Sequence, residues 1–402
     1  LTSANRKASH NTSSRWLLAA FVLYLLPFCF LGYGSDNDTY GVVASGYSTW
    51  HLHVLATSRN PGYWTYEAIV YALTQAGGYI ASNLATLAVA AVCIWRFLVI
   101  ASRLAVRFPG LLAACLVATP VFAIACTSTD DYVWSLLGIV LLCELLIADR
   151  LALAVLPAAF ALAVRGANGI VVAGAIAGAV ASECLRDCRL TPRVLQLAAV
   201  GLVAAVLGAP QYILSYRLAG NSMHFADGMI GPASMWTLKL RAGRFVYKAL
   251  YLFGPLASVL LVAIGFIRAR PPLPSSGPIT DYRARAVPLF AGVVLANILL
   301  FFRFPIEISY LIPAVYFALL LLGTSWLAKS RPLTVAFLLA TASADLVTLQ
   351  FAEPNVPGKA TGASIHLALR PGQMIDDVRQ RIPLRQCRDS EGLYDCYLRN
   401  RL

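Results

Sequence analysis

A polytopic bundle of membrane-spanning α-helices is the fold class the sequence predicts, on three observations. Hydrophobic residues make up 59% of the 402 positions and charged residues 13%, more apolar surface than one soluble core can hide. Runs of roughly 16–22 apolar residues recur along nearly the whole chain, matching the roughly 20 that a helix needs to cross a bilayer. The runs are continuously apolar instead of alternating, which points to helices and not a barrel.

Taken in order, the expected spans are 16–33, 79–102, 109–126, 132–148, 151–165, 168–183, 194–215, 246–267, 287–302, 309–327 and 332–350, about eleven in all. Arg6, Lys7 and Arg15 precede the first of them, which shows no convincing small-residue cleavage site and is expected to be retained. The net charge of +13 does not imply nucleic acid, because the basic residues form short clusters between spans and act as topology signals. Arg103/Arg107, Arg150, Arg186/Arg189/Arg193, Arg268/Arg270/Arg283/Arg285 and Lys329/Arg331 fall on one face, expected to be cytoplasmic. The N-terminus is then cytoplasmic and the C-terminus outside.

The opposite face collects a long first loop (34–78), short turns at 127–131 and 165–167, a loop at 216–245, the turn 303–308 and a tail, 351–402. Residues 63–76 are too aromatic and too short for a span and read as a helix lying along the interface. The Pro- and Ser-rich linker 271–278 is expected on the cytoplasmic side. Two domains follow: a transmembrane domain, 1–350, and a small extracytoplasmic segment, 351–402. No internal repeat, phosphate loop or His-Glu-x-x-His motif is present.

Of nine cysteines, Cys29, Cys93, Cys115, Cys126 and Cys143 lie in apolar runs and read as small packing residues. Cys184 and Cys188 lack the second ligand pair of a metal site. Cys387 and Cys396, in the polar tail, are expected to form a disulfide if the tail lies outside the cytoplasm.

Ionisable groups gather at the outer ends of different spans: Asp36 and Asp38, Arg59, Asp130 and Asp131, Arg165 with Asn168, Arg241, Arg244 and Lys248, then Arg303 and Glu307. Charges at such depth are costly, so a bundle that brings them together would form a functional cavity. Carboxylates can take a proton from a hydroxyl or hold a divalent metal; guanidiniums bind phosphate through paired hydrogen bonds. An acceptor alcohol and a phosphate leaving group are the pairing this mixture suits. His53 and His51 are poorly spaced for a shared metal, and His224 sits in the 216–245 loop as a substrate contact or as plain surface. Glu144, near the inner end of its span, reads as structural. The basic tail residues Arg379, Arg381, Arg385 and Arg388 read as a solvated face.

The order of these segments carries a resemblance. Asp36 at the mouth of the first span, four positions before Tyr40, and Ser58-Arg59-Asn60-Pro61-Gly62-Tyr63 opening an interfacial helix are similar to the GT-C superfamily of integral-membrane glycosyltransferases. Thr127-Ser128-Thr129-Asp130-Asp131-Tyr132 resembles the second acidic loop of the branch containing protein O-mannosyltransferases and aminoarabinose transferases. Phe304 to Pro313, with Glu307 and Tyr310, resembles its late turn. The resemblance covers roughly 15–326 and implies a GT-C-like bundle with interfacial helices in the first periplasmic loop.

It also implies a polyprenyl-phosphate-linked sugar donor and attack by a hydroxyl of a glycan, lipid or protein acceptor on the extracytoplasmic side, with inversion. Asp36 would be the general base. Asn37 departs from the family's usual second acid, leaving Asp38 as the substitute and metal dependence in doubt. Arg303, Arg244 and Lys248, with Arg59 and Arg241 behind them, would contact the donor phosphate. Tyr40, His53, Asp130, Asp131, Arg165, Asn168, His224, Glu307 and Tyr310 would line the substrate pocket. Ala- and Arg-rich, Lys-poor spans suit a high-GC bacterium and hence its inner membrane. A transporter or lipid flippase is the competing class, but it should show repeated halves. An O-antigen polymerase or ligase should centre on a late Arg- and His-rich loop.

Overall fold

A computed structural model of the chain describes residues 15–59, 62–187, 192–218, 238–266, 278–303, 305, 307–325, 330–351, 367–387, 393, 395 and 396. The architecture is helical. In order come α1 (Arg15–Phe30), α2 (Asn37–Trp50), α3 (Trp64–Arg103), α4 (Pro109–Val117), α5 (Pro120–Cys126), α6 (Tyr132–Ile147), α7 (Leu151–Val164) and α8 (Asn168–Asp187). They are followed by α9 (Pro192–Gly208), α10 (Pro210–Leu218), α11 (Leu238–Leu252), α12 (Pro255–Phe266), α13 (Pro278–Arg303), α14 (Ile312–Thr324), α15 (Arg331–Leu346) and α16 (Gln373–Leu384). Strands β1 (Val347–Phe351) and β2 (Leu367–Pro371) pair antiparallel, Val347 opposite Pro371.

Among the described residues, three helices are long and apolar enough to cross a membrane: Trp64–Arg103, Asn168–Leu185 and Asp281–Arg303. The number rises to 5 if each of two bent pairs is one span. Arg15–Phe30, Tyr132–Ile147, Leu151–Val164 and Ile308–Thr324 are shorter apolar helices. Leu156, Leu195, Leu202, Val206, Val259 and Leu339 are each more than half exposed. So much apolar surface left open suits lipid as the surrounding solvent.

The uniform spans read from the sequence are interrupted in four places. The stretch 109–126 is bent by 76° between α4 and α5, where Thr119 is extended ahead of Pro120, the conformation a following proline favours. The stretch 194–215 bends by 43° where Pro210 starts α10. The stretch 246–267 breaks into α11 and α12 around Gly254. The last stretch, 332–350, leaves the helix at Leu346 and continues as β1, so the tail begins a few residues before 351. The amphipathic part of the first loop and the next span form one run, α3, broken at Gly77 and Gly78. Gly78, at φ 61° and ψ −149°, occupies a backbone region open only to glycine.

The bundle is held by close helix contacts. Alpha-8 and α13 cross with Gly174 and Gly178 against Gly292: a Cβ on Gly292 would collide with the Gly174 carbonyl oxygen, and one on Gly178 would lie 2.5 Å from that of Pro288. Small residues four apart let backbones approach where the hydrophobic effect offers helices nothing. Gly292→Val is therefore expected to destabilise the fold by about 1–3 kcal/mol or more, measured as a lower melting temperature in detergent. Gly243→Ala, where an added Cβ meets nothing within 4 Å, should leave the melting temperature unchanged or raised.

A second, smaller core lies beneath the polar end. It joins Tyr33, Tyr40, Val43, Tyr63, Tyr66 and Tyr79 from the first loop and α3 with Leu384, Cys387 and Leu393 from the tail. The tail thus packs onto the bundle. Cys387 and Cys396 are disulfide-bonded, with Cα atoms 5.6 Å apart.

Candidate functional site

The loops after α1, α2, α5, α7 and α13 meet at one end of the bundle, and buried hydrogen bonds fix how. Asn83 of α3, fully buried, donates from Nδ2 to the carbonyl oxygens of Cys29 (3.0 Å) and Gly32 (2.7 Å). Its Oδ1 accepts from the Thr129 hydroxyl at 2.9 Å, and the Thr129 amide donates to Tyr33 O at 2.7 Å. One asparagine therefore brings the loop of Asp36 beside that of Asp130 and Asp131.

Asp36 caps the N-terminus of α2, its Oδ1 accepting from the Asp38 amide at 3.1 Å, as short acidic residues at this position do. It is half-buried, and among the described residues no cation pairs with it directly. Its pKa is raised to about 6, first by burial and then by the neighbouring charges of Asp38 and Glu307; the Asp38 amide and Arg59 pull the other way. A carboxylate in this range is poised to take up a proton near neutral pH. Asp130, buried and accepting from the Ser128 hydroxyl at 2.9 Å, is pushed well above the carboxylate range by burial and then by Asp36 and Asp131.

Beside these acids runs an alternating chain of charge. Asp38 pairs with Arg59, Arg59 reaches Asp131 at 3.3 Å, and Asp131 accepts from Arg165 at 3.0 Å. Burial opposes the charge on Arg59, but Asp131 and Asp38 outweigh it and hold its pKa well above the ordinary value. Arg165 lies between two aromatic faces, 4.1 Å from the Tyr132 ring centroid and 4.2 Å from that of Tyr310. Arg59 lies 4.7 Å from the Tyr63 ring centroid. Such stacking suits guanidinium.

No family model matches the chain, and neither the curated proteins nor the solved structures contain a detectable match.

Asp36, Asp38, Arg59, Asp130, Asp131, Arg165, Glu307 and Tyr310 are thus gathered into one neighbourhood. Their roles are unequal. Arg59 is engaged by two carboxylates, so a phosphate reaches it only by displacing one. Glu307 caps the short turn Ile308–Leu311, accepting from the Ser309 amide (3.3 Å) and hydroxyl (3.0 Å). Asn168 donates to Ala161 O at 2.7 Å and closes the α7–α8 turn. Tyr40 is fully buried and donates to Gly34 O at 3.2 Å. These last two stabilise the loops and do not face an open pocket. His53 is exposed just after α2, at φ 56°.

Of the expected phosphate contacts, Arg241 and Lys248 are half-buried on α11 and Arg303 ends α13. Phe245 packs between them, 6.0 Å from the Phe301 ring and 5.7 Å from that of Phe302. Alpha-11 therefore lies along the end of α13 and against the turn carrying Tyr310. His224 and the side chain of Arg244 lie outside the described residues. Asp36 and Asp38 do not form a metal centre with a third ligand: among the described residues no group of three or more His, Cys, Asp or Glu side chains could hold an ion, and Asp38 already faces Arg59.

Several participants were not read from the sequence. Tyr63 and Tyr132 end the motifs 58–63 and 127–132 but carried no role there; they stack on Arg59 and Arg165. Tyr66 is buried with its hydroxyl unpaired and carried no signal beyond amphipathic spacing. Arg381, expected on a solvated face, is fully buried. Glu144, read as structural, faces Arg96, with Arg103 at 3.7 Å, a pairing the sequence did not indicate. A small recess lined by Ser182, Glu183, Arg193 and Arg285 is formed by other segments and includes none of the acidic-site residues.

Proposed function

We propose that this chain is an inverting glycosyltransferase of GT-C type, moving a sugar from a polyprenyl-phosphate donor to a hydroxyl of a glycan, lipid or protein acceptor. The observation that carries the reading is Asp36: a half-buried carboxylate, paired with no cation among the described residues and raised to about pKa 6, beside a cluster of arginines and tyrosines. A base must be near its proton-accepting range and must not be neutralised by an ion pair.

In the reaction, the acceptor oxygen attacks the anomeric carbon on the face opposite the phosphate while Asp36 takes the hydroxyl proton. The new bond joins acceptor oxygen to sugar; the bond from sugar to phosphate oxygen breaks, and the electron pair leaves with the polyprenyl phosphate. Arg303, Arg241 and Lys248, along α11 and the end of α13, would stabilise the leaving charge. Asp38 and Asp131 would hold Arg59 and Arg165 in fixed orientation beside the acids. A bacterial inner-membrane location with this end facing the periplasm accompanies the proposal, since polyprenyl-phosphate sugars used without a nucleotide-sugar domain are consumed there in the family it resembles.

Purified protein in nanodiscs, given radiolabelled polyprenyl-phosphate sugars, is expected to release polyprenyl phosphate in the presence of hydroxyl acceptors. Wild-type protein that binds such donors no better than polyprenol, and turns over none, would overturn the assignment.

A further inference from the structure

The tail contributes a buried ion pair aimed at both acidic loops. Arg381 of α16 is fully buried. Its Nη1 donates to Thr127 O at 2.9 Å and its Nη2 to Ile124 O at 3.4 Å. Those carbonyls end α5, where a cation also opposes the negative end of the helix dipole. Its Nε lies 2.8 Å from Asp377 Oδ2, and Asp377 Oδ1 accepts from the Ser35 hydroxyl at 2.7 Å. Ser35 adjoins Asp36; Thr127 opens the loop to Asp130 and Asp131. One turn of α16 thus joins two segments more than ninety residues apart in sequence through the buried side chains of Arg381 and Asp377 and the half-buried Ser35. The Cys387–Cys396 disulfide closes the chain just beyond the helix.

Burying a guanidinium is costly unless every partner is in place. A helix needed only to cover apolar surface would have an apolar residue at this position, since replacing a buried pair by packed hydrocarbon is often neutral or stabilising. What Arg381 supplies instead is direction at the α5 end: its two Nη donors fix the carbonyls of one loop, while a close charge contact with Asp377, not aligned as a hydrogen bond, ties them to the carboxylate that accepts from the Ser35 hydroxyl of the other.

We propose that Arg381, acting through Asp377 and Ser35, is a positioning residue of the acidic site, and that the C-terminal helix holds Asp36 and Asp130 in their mutual geometry. The role as a catalytic positioner rests on the transferase reading; the coupling of the loops does not.

The test reads Asp36 directly. Full-length protein in nanodiscs, with carbon-13 in its aspartate carboxyls, is titrated by NMR, and the Asp36 signal is identified by its loss in Asp36→Asn. In Arg381→Met the Asp36 midpoint is expected to fall by about one pH unit or more toward the ordinary carboxylate value as the loop opens to water. Amide exchange in 34–40 and 127–132 should speed up about tenfold or more, with the helices α8 and α13 unchanged. Arg381→Lys should restore only part of the shift. Ser35→Ala, which removes one hydroxyl and leaves the ion pair, should loosen 34–40 alone and serves if Arg381→Met does not fold. An unshifted midpoint with unchanged exchange in both loops, in whichever of these variants fold, overturns the proposal. Loosened loops in these variants, where the wild-type protein itself transfers no sugar, would leave the coupling intact and reject the transferase reading instead.

Discussion

Asp36→Asn is expected to lower sugar transfer by about 10²–10⁴-fold, the range a positioned general base contributes, while the protein folds and binds the donor. Removing the carboxylate should also raise stability near neutral pH. The sign follows from linkage: the folded-state pKa of Asp36 is raised to about 6, so the native state holds this proton more tightly than the unfolded chain does. Its contribution to stability is fully present below the unfolded carboxylate value and is lost as pH rises through about 6. At pH 7–8 wild-type protein therefore carries an unfavourable charge that the asparagine lacks, and the variant should melt higher there, the difference vanishing below about pH 4. Activity runs the other way: the base works when deprotonated, so wild-type kcat/KM should fall as pH drops through about 6. Thermal melts and rate profiles across pH 4–8 read both trends. A variant with wild-type transfer rates would remove Asp36 from the chemistry.

The largest loss of stability is expected from Arg165→Met. Arg165 is buried against Asp131 and stacked on Tyr132 and Tyr310. Truncation leaves Asp131, itself fully buried, with Arg59 at 3.3 Å as its one cation among the described residues, and breaking one side of a buried pair costs about 3–5 kcal/mol. Arg165→Lys should recover little, because an ammonium lacks the planar fork and the stacking face. The double variant with Asp131→Asn should regain part of the loss, since the orphaned charge disappears. Folded yield and melting temperature in detergent measure all three. Equal stability of wild type and Arg165→Met would mean the alternating charges contribute nothing to the fold.

Much of this arrangement was legible in one dimension. Continuous apolar runs marked the helices because a chain in lipid must satisfy its backbone internally. Carboxylates placed beside such runs, at 36, 38, 130 and 131, stood out as expensive in that setting. Where the runs bend was less visible, because proline at 120 and 210 and glycine at 254 are compatible with a straight span, a kink or a break until neighbouring helices choose. The partners of each charge were invisible. Asp38 and Asp36 are alike on paper, two positions apart, yet one faces Arg59 and the other caps α2 with no cation paired to it among the described residues. Arg381 looked like one more charge on an amphipathic tail, since the i, i+4 pairing of Asp377 and Arg381 is the same for a helix in water and for one pressed against α5.

By itself the sequence determined that this is a helical, membrane-embedded chain with acids and arginines at particular loop positions, because composition and spacing depend only on local properties of the chain. Tertiary structure decided which acid has no cation partner among the described residues, which arginines are caged by tyrosine and carboxylate, and that the tail packs against both acidic loops. The strength of a charge pair depends on distance, burial and the angle of approach, and those come into being only when segments on different helices and loops pack together.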